Sequence, residues 1–309
     1  LNSLRDMDED HRSSVIRAIA GGLDDPEYRP WEYYFRAEPV PEGLTREAWW
    51  CAVRSSRATT ARPTPFTMKD ATPLTFNLPD VLLSLNEDIT VQARGQVELP
   101  GEVATEAARD RYLINSLYEE AITSSQMEGA STSRRDAKKM LREGRRPQTR
   151  SERMIRNNFL ALEFVRARLT DKLTPKFICE VHRIVTEGTL DDPDDAGRLQ
   201  REGEGRVRIY GTESEEQLLH VPPSAAELPE RLERLCSFVN GEGEYATQYV
   251  PPLVRALIVH FMMGYDHYFV DGNGRTARVI AQWVMLREGF FLMDFVPVSR
   301  LLHRAPAQY

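Results

Sequence analysis

The sequence predicts a mainly α-helical protein that carries one small β-hairpin. Apolar residues recur at helical spacing through most of the chain beyond residue 78, as at Leu113, Leu117 and Ala121, which stand at i, i+4 and i+8. Two short runs, residues 207–210 and 218–221, read instead as the paired strands of a hairpin. A helical bundle with one hairpin is therefore the expected architecture.

Seven helices are expected in this part of the chain. Pro175 suits the first turn of one of them, and Gly289 suits the end of the last, because glycine readily adopts the backbone conformation that follows a helix. The expected helices cover residues 78–91, 106–128, 151–169, 175–187, 227–239, 252–266 and 275–288.

The first part of the chain has a different pattern. A polar helix near residues 8–20 is expected to end at Gly21 and Gly22. The Pro- and Thr-rich stretch 59–75 is typical of irregular or connecting structure. We therefore predict an N-terminal module of uncertain fold at residues 1–75 and a helical domain at residues 76–309.

Composition and charge argue against several classes of protein. The 309 residues are 41% hydrophobic and 28% charged, as in ordinary globular proteins. Lys and Arg number 40 against 47 Asp and Glu, and the net charge of −7 predicts no general attraction to nucleic acid or anionic lipid. A basic stretch, residues 134–156, lacks the aromatic residues that stack on bases, so a solvated helix face is expected there rather than a nucleic-acid patch.

The compartment expected from the sequence is the cytoplasm. Cys51, Cys179 and Cys236 lie far apart and form neither a disulfide framework nor a metal pair. The opening segment is too charged for a signal peptide. No apolar run approaches the roughly 20 residues that span a bilayer, so no membrane contact is expected.

Residues 267–278, here called the loop segment, contain the features of an anion site. Gly272, Asn273 and Gly274 tolerate positive φ, so their N–H groups can turn toward one anion. The helix that follows adds the free N–H groups and positive dipole end of its N-terminus. Arg275 and Arg278 are three residues apart and can flank a ligand with two or more phosphates.

The same segment supplies a base and a carboxylate. His267 follows an apolar helix and is largely neutral near pH 7, so it can take a proton from an attacking hydroxyl. Asp271 is either a helix cap or a ligand for Mg²⁺, which prefers oxygen and bridges substrate phosphates. His260, His267 and Asp271 leave a transition-metal site as a minor alternative.

The loop segment resembles the signature of the Fic family, His-x-Phe-x-(Asp/Glu)-Gly-Asn-Gly-Arg-x-x-Arg, and matches every defined position. The resemblance implies the Fic fold and transfer of AMP from ATP to a Ser, Thr or Tyr hydroxyl of a target protein, which can be this chain itself. It makes His267 the general base, Asp271 the Mg²⁺ ligand, the backbone of residues 272–274 the anion hole, and Arg275 and Arg278 the holders of the distal phosphates. Tyr268 departs from the family, which usually has Pro there, and this can shift the loop or alter how the target is presented.

A second motif precedes the loop segment in the chain. Ser124 and Glu128 are four residues apart on one helix face, and Gly129 suits the end of that helix. A carboxylate at the negative end of a helix calls for a cationic partner elsewhere. Ser124 to Gly129 resemble the inhibitory motif of Fic proteins, (Ser/Thr)-x-x-x-Glu-(Gly/Asn), in the class with an N-terminal inhibitory helix, here about residues 106–129. By that likeness Glu128 pairs with Arg278, and ATP binds in an unproductive pose.

The hairpin at residues 206–221 stands where Fic proteins have a flap that aligns the target segment. Its candidates for strand pairing with a target peptide are Val207, Ile209, Leu219 and Val221. An ordinary surface hairpin is the alternative.

Other functions remain open on the same residues. The fold can remove AMP from a modified protein, with Glu128 positioning water, or transfer phosphate instead of AMP. From a different class, the chain can be a non-catalytic regulatory module that only senses nucleotide. A homodimer is an open expectation for the assembly.

Overall fold

The computed structural model describes residues 7–23, 25, 27–36, 39–94, 106–207, 209–210, 218–243 and 246–305. These residues are mainly helical, as the sequence predicts, and their sheets are two antiparallel hairpins of two strands each. The chain divides into two compact units, residues 1–88 and 89–309. The boundary predicted near residue 75 falls inside the first unit.

The first unit contains helices and a short hairpin. Its elements are α1 Glu9–Ala20, α2 Trp31–Arg36, α3 Arg46–Thr59, β1 Arg62–Thr67, β2 Pro73–Phe76 and most of α4 Asp80–Arg94. α1 packs on α3 around the buried side chains of Val15, Ala48 and Ala52.

The expectation of irregular structure at residues 59–75 is wrong. β1 pairs with β2 in antiparallel register, and Thr64 Oγ1 also donates to the Leu74 carbonyl at 2.8 Å. The prolines that suggested a connecting segment are tolerated because a two-stranded ribbon has open edges, where a missing N–H costs no ladder hydrogen bond.

The second unit is a helical bundle with the second hairpin. Its elements are α5 Glu106–Met127, α6 Arg134–Glu143, α7 Arg150–Arg166, α8 Pro175–Thr186, β3 Ile209–Tyr210, β4 Leu218–His220, α9 Leu228–Asn240, α10 Pro252–Asp266, α11 Asn273–Arg287 and α12 Val298–Arg304. Short 3₁₀ turns occur at Pro193–Asp195, Ala225–Glu227 and Phe291–Asp294.

α6 lies in the basic stretch and is not among the expected helices. It begins after the cap Ser133 and ends before the left-handed Gly144, and only Ala137 and Met140 are buried, so few apolar residues mark this helix in the sequence. Cations of this region pair with carboxylates of the bundle, such as Arg145 with Glu152, whose atoms approach to 2.5 Å.

α11 is the central helix of the second unit. It packs most extensively on α10 and also contacts α5, α7 and α8. Trp283 on α11 is fully buried and donates from Nε1 to the Arg168 carbonyl at 3.0 Å. The apolar sequence of α10 does not make the helix buried on every side, because Leu257 and Phe261 are exposed. The start of α11 is therefore held on several sides by packed helices.

No described helix combines the length and the apolar character that crossing a membrane requires.

Candidate active site

His267 stands directly after the last residue of α10. It has a left-handed backbone with φ of 50°, which is uncommon for a residue other than glycine. Its N–H nevertheless donates to the Met263 carbonyl at 3.2 Å, which closes the last turn of the helix. The imidazole is thus carried on a rigid core element.

The surroundings of His267 favour its neutral form. Burial is the largest influence and lowers the pKa of the imidazole, and the positive charge of Arg206 and the ring of His220 lower it further. The Gly264 carbonyl and the Glu128 carboxylate oppose this shift. Since the ordinary pKa of histidine is already about 6.5, the side chain is available as a proton acceptor at neutral pH.

Asp271 and Gly272 form the turn that leads into α11. Gly272 has φ of 80°, and a Cβ added there would lie 2.6 Å from Thr186 Cγ2. The Gly272 N–H donates to Asp271 Oδ1 at 2.6 Å. Asp271 Oδ2 faces the guanidiniums of Arg150 and Arg275 at 3.8 and 3.9 Å, and the side chain is 49% exposed. One carboxylate oxygen therefore remains accessible beside two cations.

The structure corrects how the glycine-rich stretch is built. Positive φ occurs at Gly272 but not at Asn273 or Gly274, which form the first turn of α11. The Asn273 side chain turns back to the loop, accepts from Phe269 N–H at 3.0 Å and donates to its carbonyl at 2.7 Å. The free N–H groups at this point are therefore those of a helix start rather than those of a three-residue nest.

Gly274 lies directly beneath the carboxylate of Glu128. A Cβ added at this position would be 2.2 Å from Glu128 Oε1 and 3.2 Å from Arg278 Nη1. The start of α11 thus has a carboxylate resting against it, as expected for a helix N-terminus that favours negative charge.

The two arginines of the loop segment point to different helices. Arg275 is 1% exposed and donates from Nη1 to the Val185 carbonyl of α8 at 3.3 Å. Burial lowers the pKa of Arg275, and the carboxylates of Asp271 and Glu128 oppose that shift. Arg278 is also buried but reaches α5 instead.

The expected pairing of Glu128 with Arg278 is present. Arg278 Nη2 donates to Glu128 Oε1 at 2.7 Å. Its Nε donates to Ser124 Oγ at 2.8 Å, and Nη2 also reaches the Ser124 carbonyl at 2.9 Å. α5 ends at Met127, and Gly129 has φ of 87°, which turns the chain away at this point.

His182 of α8 braces the loop segment and was missed in the sequence. Its ring stacks on Phe269 at 3.7 Å between centroids. Nδ1 accepts from Gly197 N–H at 2.9 Å, so Nε2 carries the hydrogen and donates to the Asp271 carbonyl at 2.8 Å. Burial lowers the pKa of His182 to about 4. A lone histidine on an apolar helix has no pattern that reveals such a contact.

Tyr268 points into the core rather than toward a target. It is fully buried, and its hydroxyl donates to Asp266 Oδ2 at 2.7 Å. Arg231 of α9 donates from Nε to the other oxygen, Asp266 Oδ1, at 2.6 Å. The residue that departs from the family signature therefore ties the loop segment to α9.

The second hairpin contains only part of the expected flap pattern. Ile209 pairs with His220 in antiparallel register. Residues 211–217, the predicted turn, lie outside the described residues. Ile209 and Leu219 lie in the strands and Val207 and Val221 just beyond them, with Leu219 exposed and the other three half-buried.

Part of the chain, including the loop segment, matches a known protein family. Residues 172–285 match the family model described as Fic/DOC. The protein adenylyltransferase Fic of Drosophila willistoni is 32% identical over 133 residues, which cover 42% of this chain and 24% of the relative. The chain thus spans about a quarter of the length of the curated relatives it matches.

Solved structures show the same fold. A Fic family protein from Desulfovibrio desulfuricans G20 aligns with a TM-score of 0.56 and 22% identity, over 74% of this chain and 63% of that chain. A Fic domain containing signaling protein from Bacteroides thetaiotaomicron VPI-5482 aligns with a TM-score of 0.55 and 20% identity, over 66% of this chain and 73% of that chain. The residues matched to the family include α8 and the whole loop segment. This chain therefore carries a Fic/DOC family domain with the Fic fold.

Proposed function

We propose that the chain is a protein adenylyltransferase, which moves AMP from ATP to a Ser, Thr or Tyr hydroxyl of a target protein and is held inactive by Glu128. The observation that carries the proposal is the carboxylate of Glu128 against Gly274, bound to Arg278. An anion already rests at the helix start where phosphates are expected. The relatives named protein adenylyltransferase Fic support the reaction class.

The start of α11 is the proposed phosphate site. Its first N–H groups and the positive end of its dipole favour phosphate oxygens. Arg278 and Arg275 lie within the same turn of the helix and add charge. Arg278 can reach a distal phosphate only after it leaves Glu128, so the restraint and the binding of ATP compete for one guanidinium.

Asp271 is the proposed ligand for Mg²⁺. Among the described residues, no cluster of three or more His, Cys, Asp or Glu side chains is arranged to hold a metal ion, which gives the transition-metal alternative no support. A single half-exposed carboxylate fits Mg²⁺, because that ion commonly takes its other ligands from substrate phosphates and water. When bound, Mg²⁺ would neutralise part of the phosphate charge.

His267 is the proposed general base. Its imidazole accepts the proton of the target hydroxyl as the oxygen forms a bond to the α-phosphorus of ATP. The bond from that phosphorus to the oxygen shared with the β-phosphate breaks, and pyrophosphate leaves. The N–H groups at the start of α11 stabilise the charge that develops on the phosphate oxygens.

The hairpin is the proposed guide for the target segment. Strand β4 is short and its Leu219 is exposed, so an extended peptide can add to the edge as a further strand. The target can be another protein or a second copy of this chain, including a partner in a homodimer. We expect this reaction to take place in the cytoplasm.

The test is the release of Glu128. Glu128→Gly is expected to raise AMP transfer, including self-modification, by about tenfold or more, which corresponds to roughly 1.4 kcal/mol of barrier. Intact mass spectrometry after incubation with ATP and Mg²⁺ should show the addition of one AMP. The matched control is Glu143→Gly, since Glu143 is exposed at the end of α6 and also precedes a left-handed glycine.

Five outcomes would contradict the proposal. Unchanged activity in Glu128→Gly contradicts the role of Glu128 as a restraint. Labelling that persists when His267→Ala is added to Glu128→Gly contradicts the role of His267 as the general base. Incorporation of label from the γ-phosphate but not from the α-phosphate of ATP indicates phosphate transfer. Binding of ATP without turnover indicates a sensing module, and loss of AMP from a modified target indicates the reverse reaction.

A further inference from the structure

The backbone carbonyls around His267 are each bound by a group from another element. The carbonyl of Tyr265 accepts from His220 Nε2 at 2.8 Å. The carbonyls of Asp266 and His267 both accept from Arg206 Nη2, at 2.6 and 3.0 Å. The next carbonyl in the chain, that of Tyr268, accepts from the Gln200 backbone N–H at 2.9 Å.

Arg206 is the residue that binds the His267 backbone directly. Its Nη1 donates to Gln200 Oε1, which fixes the plane of the guanidinium. One nitrogen thus bridges two consecutive carbonyls at the point where α10 ends. Since His267 has a left-handed backbone with φ of 50°, surrounding contacts must hold a conformation that costs a non-glycine residue about 1 kcal/mol or more.

The same guanidinium stands among the charged groups that face the His267 imidazole. Arg206 precedes β3, His220 belongs to β4, and Glu128 follows α5. Arg206 is the cation of this set with a fixed charge at neutral pH, although burial lowers its own pKa. Glu128 acts in the opposite direction on the imidazole.

We propose that Arg206 is a positioning residue for His267, which fixes its left-handed backbone and places a positive charge beside its imidazole, and so joins the start of the hairpin to the catalytic geometry. The inference rests on the proposed function, because it concerns the efficiency of His267 as a base. It adds a residue that lies outside the loop segment and outside the inhibitory motif.

The proposal makes two separable demands on Arg206. The backbone contact requires a planar donor that reaches two carbonyls, which lysine replaces poorly. The electrostatic contribution requires only a positive charge near the imidazole. Loss of that charge should raise the pKa of His267, so that activity falls at a higher pH as the solution is acidified.

The experiment uses the full chain with Glu128→Gly as parent. Arg206→Met is expected to lower kcat for AMP transfer by about tenfold with little change in the KM for ATP, as for a displaced catalytic group, and to move the acidic limb of the pH profile upward. Arg206→Lys should keep the acidic limb of the parent and recover only part of kcat. The control is Arg201→Met, an exposed arginine of the same segment, which should match the parent.

Two results overturn the inference. One is a folded Arg206→Met whose kcat and pH profile equal those of the parent. The other is an Arg206→Lys variant with the full kcat of the parent. This second result decides the question if Arg206→Met does not fold. If the parent itself transfers no AMP, the proposed function fails, and NMR titration of the His267 ring still tests the role of Arg206. An unchanged pKa of His267 in Arg206→Met then contradicts the inference separately.

Discussion

The loop segment and the inhibitory motif meet at the first turn of α11, and they are held there in different ways. The loop segment is bound from several sides: His182 donates to the Asp271 carbonyl, and Asn273 bridges the backbone of Phe269. The inhibitory motif is hydrogen-bonded to α11 through the Arg278 side chain, which donates to Ser124 and Glu128, and the Glu128 carboxylate lies against Gly274.

Two residues at this meeting point, Arg275 of the loop segment and Glu128 of the inhibitory motif, differ in burial. The side chain of Arg275 is 1% exposed, whereas that of Glu128 is 30% exposed. Releasing Glu128 therefore breaks a contact near the surface and leaves the packing of α11 on its neighbours intact. This difference supports the proposal that Glu128 is a removable restraint on a loop segment whose geometry is otherwise fixed.

The largest expected effect tests the fixed geometry at Gly272. Gly272→Ala combines a left-handed backbone with a Cβ 2.6 Å from Thr186 Cγ2, so the turn must move away from α8. In the Glu128→Gly background, kcat for AMP transfer should fall by about a hundredfold, or roughly 3 kcal/mol of barrier.

The control separates backbone strain from the clash. Gly241 has φ of 67° and nothing within 4 Å of an added Cβ, so Gly241→Ala should cost some stability but leave kcat unchanged. Initial rates of AMP transfer measured on the folded fraction of both variants check this. A Gly272→Ala enzyme with the kcat of its parent would show that the turn is not rigid.

The pH dependence of folding tests the brace from α8. The pKa of His182 is lowered to about 4 in the folded chain, from an ordinary value of 6.5. The unfolded chain therefore takes up a proton first as the pH falls, and stability present above pH 6.5 is lost between pH 6.5 and 4. The loss should approach about 3 kcal/mol.

His182→Gln is the matched variant for this measurement. Glutamine can donate to the Asp271 carbonyl and accept from Gly197 N–H without titrating. Urea unfolding at pH 7 and at pH 4.5 should show a smaller loss of stability in His182→Gln than in the unchanged chain. Parallel losses would mean that His182 is not held neutral at the loop segment.

Local signals in the sequence predicted much of the fold and both motifs. Helical periodicity and capping residues depend on near neighbours, so α5, α8 and α10 begin or end within a residue or so of expectation. The start of α11 is two residues earlier than expected, because Gly272 caps the helix and Asn273 bonds back to the loop.

The supporting contacts could not be read in the same way. His182 and Asp271 are 89 residues apart, and Arg206 and His267 are 61 apart. These pairs meet because α8 packs on α11 and because the chain before β3 returns to the end of α10. Neither arrangement produces a pattern among neighbouring residues of the sequence. The family resemblance predicts which residues act on phosphate, but it does not predict which other residues hold those residues in place.

The smallest expected effect concerns the share of Ser124, as opposed to Glu128, in holding Arg278. Ser124→Ala removes one of the hydrogen bonds to Arg278, from Nε to Ser124 Oγ, and leaves the bonds to the Ser124 carbonyl and to Glu128. One such bond contributes about 1 kcal/mol, so AMP transfer should rise about fivefold, which is below the effect of Glu128→Gly. Ser125→Ala is the control, because the buried Ser125 hydroxyl has no hydrogen-bond partner among the described residues. If Ser124→Ala and Glu128→Gly raise activity equally, the Ser124 and Glu128 contacts to Arg278 act together. Loss of the Glu128 carboxylate is then not the single way to release Arg278.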